Sequence, residues 1–508
     1  MMIGRRAFLR RSGGTLAVGA AGAALGMGWT RSASADCTGA TITDGVLSRF
    51  RSRIQGSVIL PVDTQYATAR LGFNRRFDPY PVVIVRAAGT ADVARTIEFA
   101  RTNGITLAIR SGGHSYIGAS GGSGIVLDLS AMNSIASLGN GHFHIGAGAQ
   151  LQQVYGALRC QENMTIPCGS CDTVGFGGIA QGGGFGYLQQ AHGITLDRVR
   201  SARVVIADGT VVDASPEADA DLFWAIRGAG GGSLGVVTDF TVEAVPYKTI
   251  HVIGWYWPLA SAGEALDRFA SLQESGAVPR SATVALVFNN SAASLAPAQC
   301  VCVLFSTGTL AEAEATKQLF VGPGGIRATP GLGFQYDADS PACDPHAVAQ
   351  RDYYRAKSAI VYGQPAADTG HYLRYWLERR IADPMFSPSD SATVNFLTFG
   401  GAVSDVGPSD TAFPHRDALL EVQFLGYLQN PTAQSIRKNQ AWIQGLYADV
   451  FPRLSVHGEG CYVNYCDDDL TEAQWTSRYW GANYPRLQST KRRVDPADFF
   501  HGKQTIRL

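Results

Sequence analysis

The chain has 508 residues, 45% of them hydrophobic and 10% aromatic. That is longer than one hydrophobic core ordinarily fills, so two domains are expected. Its 42 basic and 42 acidic residues cancel. No basic run or patch stands out, which argues against nucleic acid as a partner.

The N-terminus reads as an export signal. Gly4-Arg5-Arg6-Ala7-Phe8-Leu9-Arg10 matches the bacterial twin-arginine pattern, Thr15 to Trp29 is apolar, and Ala33-Ser34-Ala35 fits an A-x-A cleavage site. The apolar stretch is shorter than the roughly 20 residues that span a bilayer. Residues 1–35 are therefore expected to be removed, leaving a secreted protein without a membrane anchor. Their loss takes five arginines and no acids, so the mature chain carries 37 basic and 42 acidic residues, a net charge of −5. Nine cysteines is an odd number for an exported protein. One thiol then needs a use other than pairing.

A first domain is expected over 36–246. Pro81 to Val85 reads as a buried strand, Ala91 to Asn103 as a helix and Ile105 to Arg110 as a second strand, together a β-α-β unit. Ile125–Leu129, His142–Ile145 and Ala202–Ala207 add strands, and Asp208-Gly209 makes a hairpin turn. A short helix begins at Asp221. His142 and His144 are read as ordinary surface or packing residues. A second domain is expected over 247–455. Strand-like runs at 251–257, 282–288, 299–305, 393–399 and 420–428 alternate with helix-like runs at 260–274, 311–320, 369–381 and 433–451. This pattern suggests an α+β unit with one sheet covered by helices. Cys300 and Cys302 are read as facing opposite sides of their strand and not as a pair. Residues 456–508 are expected to return to the first domain.

Two glycine-wrapped nucleophiles carry the chemistry. His114 sits in Arg110-Ser-Gly-Gly-His-Ser-Tyr116, and Cys171 opens Cys171-Asp-Thr-Val-Gly-Phe-Gly-Gly-Ile-Ala-Gln-Gly-Gly-Gly-Phe-Gly186. Paired glycines permit positive φ and close approach to a flat ligand. Cys168-Gly-Ser-Cys171 could also be a redox dithiol or half a zinc site. No second C-x-x-C or metal-spaced histidine pair accompanies it, so no metal site is expected. The glycine run at 228–232 lacks a G-x-G-x-x-G after a strand, which argues against a nicotinamide site. Tyr462-Val463-Asn464-Tyr465 reads as a strand, with Tyr462 and Asn464 on one face and Val463 and Tyr465 on the other. A tyrosine with an ordinary pKa of about 10 acts as a base at neutral pH only if its phenolate is stabilised.

The histidine and cysteine motifs together resemble the berberine bridge enzyme-like flavoproteins of the vanillyl-alcohol oxidase superfamily, over nearly the whole mature chain. The resemblance implies a two-domain FAD-binding fold whose second domain covers the flavin ring with an antiparallel sheet. It implies one FAD bonded twice, through His114 to the 8α-carbon and through Cys171 to carbon six. It places Arg110, Ser111, Gly112, Gly113, Ser115 and Tyr116 at the cofactor around His114. Val174, Gly175, Gly177, Gly178, Gly182, Gly183 and Gly184 follow Cys171, and Val237, Asn464 and Tyr465 complete the set. Tyr462 matches the family's catalytic base. Phe413-Pro-His-Arg416 and Glu421-Val422-Gln423 match the segment bordering substrate, once a one-residue gap is allowed. Gln423 falls where some members carry a glutamate base; a glutamine cannot be one, and Glu421 is a second candidate. Arg416 is read as helping to hold a tyrosinate. Val174 implies an oxygen-reactive flavin. The expected activity is oxidation of an alcohol, such as a sugar or glycosylated natural product, with O2 as acceptor and hydrogen peroxide as product, by a monomer or homodimer. Oxidative ring closure of an amine or phenol, and a non-catalytic carbohydrate-binding protein, remain as alternatives.

Overall fold

The computed structural model describes residues 43–290, 299–330, 332–338, 351–387 and 389–508. The export segment, Cys37 and Cys343 lie outside them. The β-α-β unit consists of strand Val83–Arg86, helix Thr90–Thr102 and strand Leu107–Arg110. Strand Ile125–Asp128 lies between the two and parallel to both, and Ser57–Ile59 closes the sheet antiparallel at the other edge. The carboxylate of Asp92, in the first turn of the helix, accepts N–H bonds from Gln55, Gly56 and Ala88 at 2.8–3.0 Å. Those bonds satisfy a buried carboxylate, which would otherwise be costly. The loop after Leu107–Arg110 therefore leaves from the carboxyl end of parallel strands, where α/β sheets habitually receive ligands.

A five-stranded antiparallel sheet follows, in the order Ile135–Gly139, His142–Gly146, Val236–Glu243, Val199–Val205, Val211–Ala214. The expected hairpin forms at Asp208-Gly209, with Gly209 at φ +90° and the Asp208 carboxylate accepting from Thr210 N at 2.8 Å.

The second sheet has seven antiparallel strands, in the order Gly333–Ala338, Ile250–Pro258, Gln299–Ser306, Ala282–Asn289, Ala392–Thr398, Leu420–Leu428, Tyr353–Val361. One face carries Trp255, Trp257, Leu304, Phe288, Phe396 and Phe424 into the main core, beneath helices Ala262–Glu274, Thr369–Ala382 and Ala433–Leu454. The opposite face presents Val252, Val301, Val303 and Phe305. Tyr187, just past the cysteine loop, stacks on Phe305 with ring centroids 3.7 Å apart. The strands at 333–338 and 353–361 were not anticipated from sequence, nor was helix Leu151–Glu162.

Cys300 and Cys302 correct the sequence reading. Residues two apart on a strand share a face, and both thiols sit in the main core beside Leu304. They are nonetheless free, as are Cys168, Cys171, Cys461 and Cys466, whereas Cys160 is disulfide-bonded. The C-terminal segment packs back on the first sheets. Trp480 Nε1 donates to Gly228 O at 3.0 Å. The fully buried Lys491 bonds Asp495, Ser233 O and Phe500 O at 2.6–2.9 Å. A buried ammonium is tolerable only with such partners, so these bonds pin the return. No helix among the described residues is long and apolar enough to cross a membrane.

Candidate active site

The two glycine loops meet each other before they meet any ligand. A Cβ on Gly112 would lie 2.1 Å from Gly175 N, and one on Gly175 would lie 2.1 Å from Gly112 N and from Ser111 Oγ. Glycine at both positions is thus needed to bring the histidine and cysteine loops together. Ser111 Oγ donates to Ala147 O at 2.6 Å, and Arg110 is held by Asp128 at 3.0 Å and Ala69 O at 2.7 Å. The Ser115 hydroxyl accepts from Ala119 N. These three shape the loop from behind. The second glycine run is not all loop, because Phe176–Gly182 forms a short helix. Gly178 has open space where its side chain would be, Val174 is partly buried, and Val237 packs in the main core. The run at 228–232 serves packing: a Cβ on Gly228 would meet Phe413 N at 2.1 Å.

His114 stacks on Phe73 with centroids 4.1 Å apart and planes 16° from parallel. Its Nε2 lies 3.0 Å from Thr173 Oγ1. Burial lowers its pKa to about 4, against a backbone hydrogen bond to Thr173 that acts the other way. The ring is therefore neutral at neutral pH, the form in which an imidazole is a nucleophile. Cys171 is exposed but closely surrounded by protein. Burial raises its pKa, and Asp172 and Asp352 raise it further.

Tyr462 is 2% exposed. The expected strand is not there: Val463–Tyr465 form a 3₁₀ turn. The tighter turn abolishes strand alternation, so Tyr462, Asn464 and Tyr465 all face the same cluster. Tyr462 Oη accepts from Gly184 N at 2.7 Å and from Asn464 Nδ2 at 2.8 Å. The same amide donates to Ile179 O at 3.1 Å, which fixes its orientation. Burial is the larger influence and leaves the phenol raised, while the Gly184 and Asn464 bonds hold that rise back. Two donors on one phenolic oxygen favour the phenolate. Gly183, at φ +145°, and Gly184, at φ +81°, have no room for side chains, which would meet Tyr462 and Thr195.

Arg416 does not reach Tyr462 and so does not hold a tyrosinate directly. It is fully buried and clasps Asp197 through two bonds of 3.0 and 2.8 Å. Asp197 also accepts from Ile194 N, and Thr195 N and Leu196 N bond the carbonyls of Gly184 and Gly183 at 2.8 and 3.0 Å. Arg416 thus braces, through Asp197, the turn whose N–H reaches Tyr462. Gln423 Nε2 donates to Tyr116 Oη, and Tyr116 stacks on Tyr465 at 4.9 Å, 4° from parallel. Glu421 lies two residues from Gln423, on the same face of the sheet. It is buried, its Oε1 has no partner, and burial pushes its pKa well up. Phe73, Thr173 and Asp197 were missed in the sequence: Phe73 and Asp197 lie outside both motifs, and Thr173 stands inside the cysteine motif at a position with no chemistry of its own. The acidic run Asp467-Asp468-Asp469 is met by Lys357, Arg355 and Arg76. His142 and His144 meet Asn140 O, Ser134 and Asp239.

The chemistry of these residues fits a flavin: two nucleophiles on interlocked glycine loops, a His114 Nδ1 with no hydrogen-bond partner among the described residues, and an exposed Cys171. This is the construction of a flavoprotein oxidoreductase. The model of an FAD binding domain matches residues 81–215, and the model "Berberine and berberine like" matches 461–507. The chain is 30% identical over 458 residues to a chitooligosaccharide oxidase of Gibberella zeae, covering 86% of this chain and 89% of that one. It is 28% identical over 484 residues to the FAD-linked oxidoreductase YgaK of Bacillus subtilis, covering 90% and 98%. A solved chitooligosaccharide oxidase superposes with a TM-score of 0.77 at 27% identity, covering 91% and 99%. A glucooligosaccharide oxidase from Acremonium strictum, at 24% identity and a TM-score of 0.79, shares the fold over 91% and 99%. The chain belongs to the berberine bridge enzyme-like FAD-linked oxidoreductases, an oxidase family of the PCMH-type FAD-binding superfamily.

Proposed function

We propose that this chain is an exported oxidase that holds one FAD through both His114 and Cys171 and oxidises the hydroxyl of a sugar, oligosaccharide or glycosylated natural product. The observation that carries the reading is the pair of donors on Tyr462 Oη. They equip a buried phenol to take the substrate's hydroxyl proton. FAD supplies the acceptor for the hydride and passes the electrons to O2, with hydrogen peroxide as product. Glu421, kept neutral by its apolar site, stands ready as a hydrogen-bond donor, the use to which other enzymes put a buried carboxylic acid. Gln423 holds Tyr116 and carries no proton in the reaction. Val174, three residues after Cys171, is assigned to oxygen access.

Relatives named for chitooligosaccharide and glucooligosaccharide oxidation support the substrate class. The Acremonium strictum structure carries 6-S-cysteinyl, 8α-N1-histidyl FAD. In this chain Nε2 of His114 is engaged and Nδ1, the corresponding nitrogen, has no hydrogen-bond partner among the described residues. The export reading rests on Arg5-Arg6 and the Ala33-Ser34-Ala35 site. Denaturing mass spectrometry of wild type, H114A, C171A and the double variant tests the attachment, and peroxide release over a panel of sugars, amines and phenols tests the substrate class. One FAD retained by each single variant and lost in the double is expected, with peroxide from sugars. A wild-type chain without an FAD adduct, or peroxide from amines or phenols only, overturns the corresponding half.

A further inference from the structure

We propose that Thr173 is a positioning residue that selects which nitrogen of His114 bonds to FAD. The inference rests on the bicovalent reading above. Stacking against Phe73 fixes the plane of the imidazole. Both ring nitrogens lie in that plane, so the stacking contact does not distinguish them, and Phe73 alone leaves both eligible. Thr173 breaks that degeneracy, because its hydroxyl lies 3.0 Å from Nε2. A backbone hydrogen bond from Thr173 also favours a proton on the ring, and a carbonyl can only accept. With Nε2 as the donor to Thr173, Nδ1 keeps its lone pair and has no hydrogen-bond partner among the described residues. Burial keeps the ring from taking a second proton at neutral pH.

The step balances without a further reagent. Nδ1 forms a bond to the 8α-carbon, the methyl group loses one hydrogen and the imidazole loses the proton on Nε2. The two electrons and two protons leave to O2 as hydrogen peroxide. The Nε2 proton faces Thr173, so the residue that sets the tautomer also stands where that proton departs. Thr173 lies two positions after Cys171 in the same loop. One loop thus carries the second nucleophile and orients the first.

The test uses C171A, in which His114 is the single link, with Thr173→Val and Thr173→Ser added. Covalent FAD is read by denaturing mass spectrometry and total bound flavin by the visible spectrum of the native protein. C171A and its serine variant should attach FAD alike. The valine variant should bind as much flavin but attach it about three- to tenfold more slowly, the range a single neutral hydrogen bond sets. Rescue by serine separates the hydroxyl from mere packing. Equal attachment in the valine variant overturns the inference and leaves the bicovalent reading intact. Absence of a His114 adduct in C171A overturns both. A second measurement needs no variant: NMR of the flavin peptide released from wild type by proteolysis. A link through Nδ1 supports the proposal, and one through Nε2 overturns it.

Discussion

His114 and Cys171 sit on two interlocked glycine loops, and the protein treats them in opposite ways. His114 is stacked, hydrogen-bonded and held neutral, with its pKa lowered to about 4. Cys171 keeps solvent exposure, yet the protein packed around its thiol desolvates it enough to push it up, and Asp172 and Asp352 push it further. Burial acts on both, but the reactive forms differ in charge. An imidazole reacts neutral, so burial readies it; a thiol reacts as the anion, so burial restrains it. Tyr462 stands between them. Burial pushes its phenol up as it does the thiol, but Gly184 and Asn464 act against that push. What decides whether a buried group is ready is the sign of its reactive form and whether donors are aimed at it.

Tyr462→Phe should break that comparison most severely. It removes the hydroxyl proposed as the base and leaves His114 and Cys171, the proposed attachment sites, untouched. Turnover, read as peroxide release, should fall about 10²- to 10⁴-fold, the range for a positioned general base. Denaturing mass spectrometry should still show full FAD attachment; loss of the adduct would tie the tyrosine to attachment instead. Asn464→Ala sharpens the point. It removes one of two donors that lower the phenol's pKa, so the rising limb of kcat/KM against pH should move to higher pH. Activity at neutral pH should fall about 10²-fold, as for one lost oxyanion donor. An unmoved limb would mean that Asn464 supports only the turn.

The fold was legible where residues repeat with a period or spell a motif. The β-α-β unit shows because residues 82–85 are continuously apolar and the following helix repeats at helical spacing, and Leu420–Leu428 was located to the residue. The edge strand Tyr353–Val361 escaped because Arg355 and Lys357 break its apolar run; their charges are spent on Asp467, Asp468 and Asp469, far away in sequence. Tyr462 and Asn464 were legible as residue types but not in geometry. A four-residue segment carries too little pattern to tell a strand from a 3₁₀ turn, and the choice is made by Gly184, 278 residues away. Arg416 was visible, but its partner Asp197 was not, because an ion pair formed across the fold leaves no spacing signal.

The two attachments should respond differently to pH. In H114A, the cysteine link depends on the thiolate, whose fraction grows about tenfold per pH unit below the thiol's pKa. Its formation should accelerate accordingly from about pH 6 to pH 8. In C171A the histidine link should form at a nearly constant rate over the same span, because His114 is neutral throughout it. Acid-quenched mass spectrometry over time reads both rates. A flat profile for H114A would show that bound FAD, rather than the protein's surroundings, sets the thiol's charge.

The smallest effect isolates one part of the restraint on Cys171. Asp172 is exposed, and its charge is the first of two that raise the thiol's pKa after burial. Asp172→Asn removes that charge with little change of shape. In the H114A background the cysteine link should form about two- to threefold faster at low salt, and the gain should shrink as salt is raised, because an exposed charge is screened over about 10 Å at 0.1 M. The histidine link in C171A should not change, since a neutral ring has no charge for Asp172 to act on. A gain that persists at high salt would place Asp172 in direct contact with the reacting thiol, and equal gains at both links would mean that the substitution loosens the shared loop instead of altering its field.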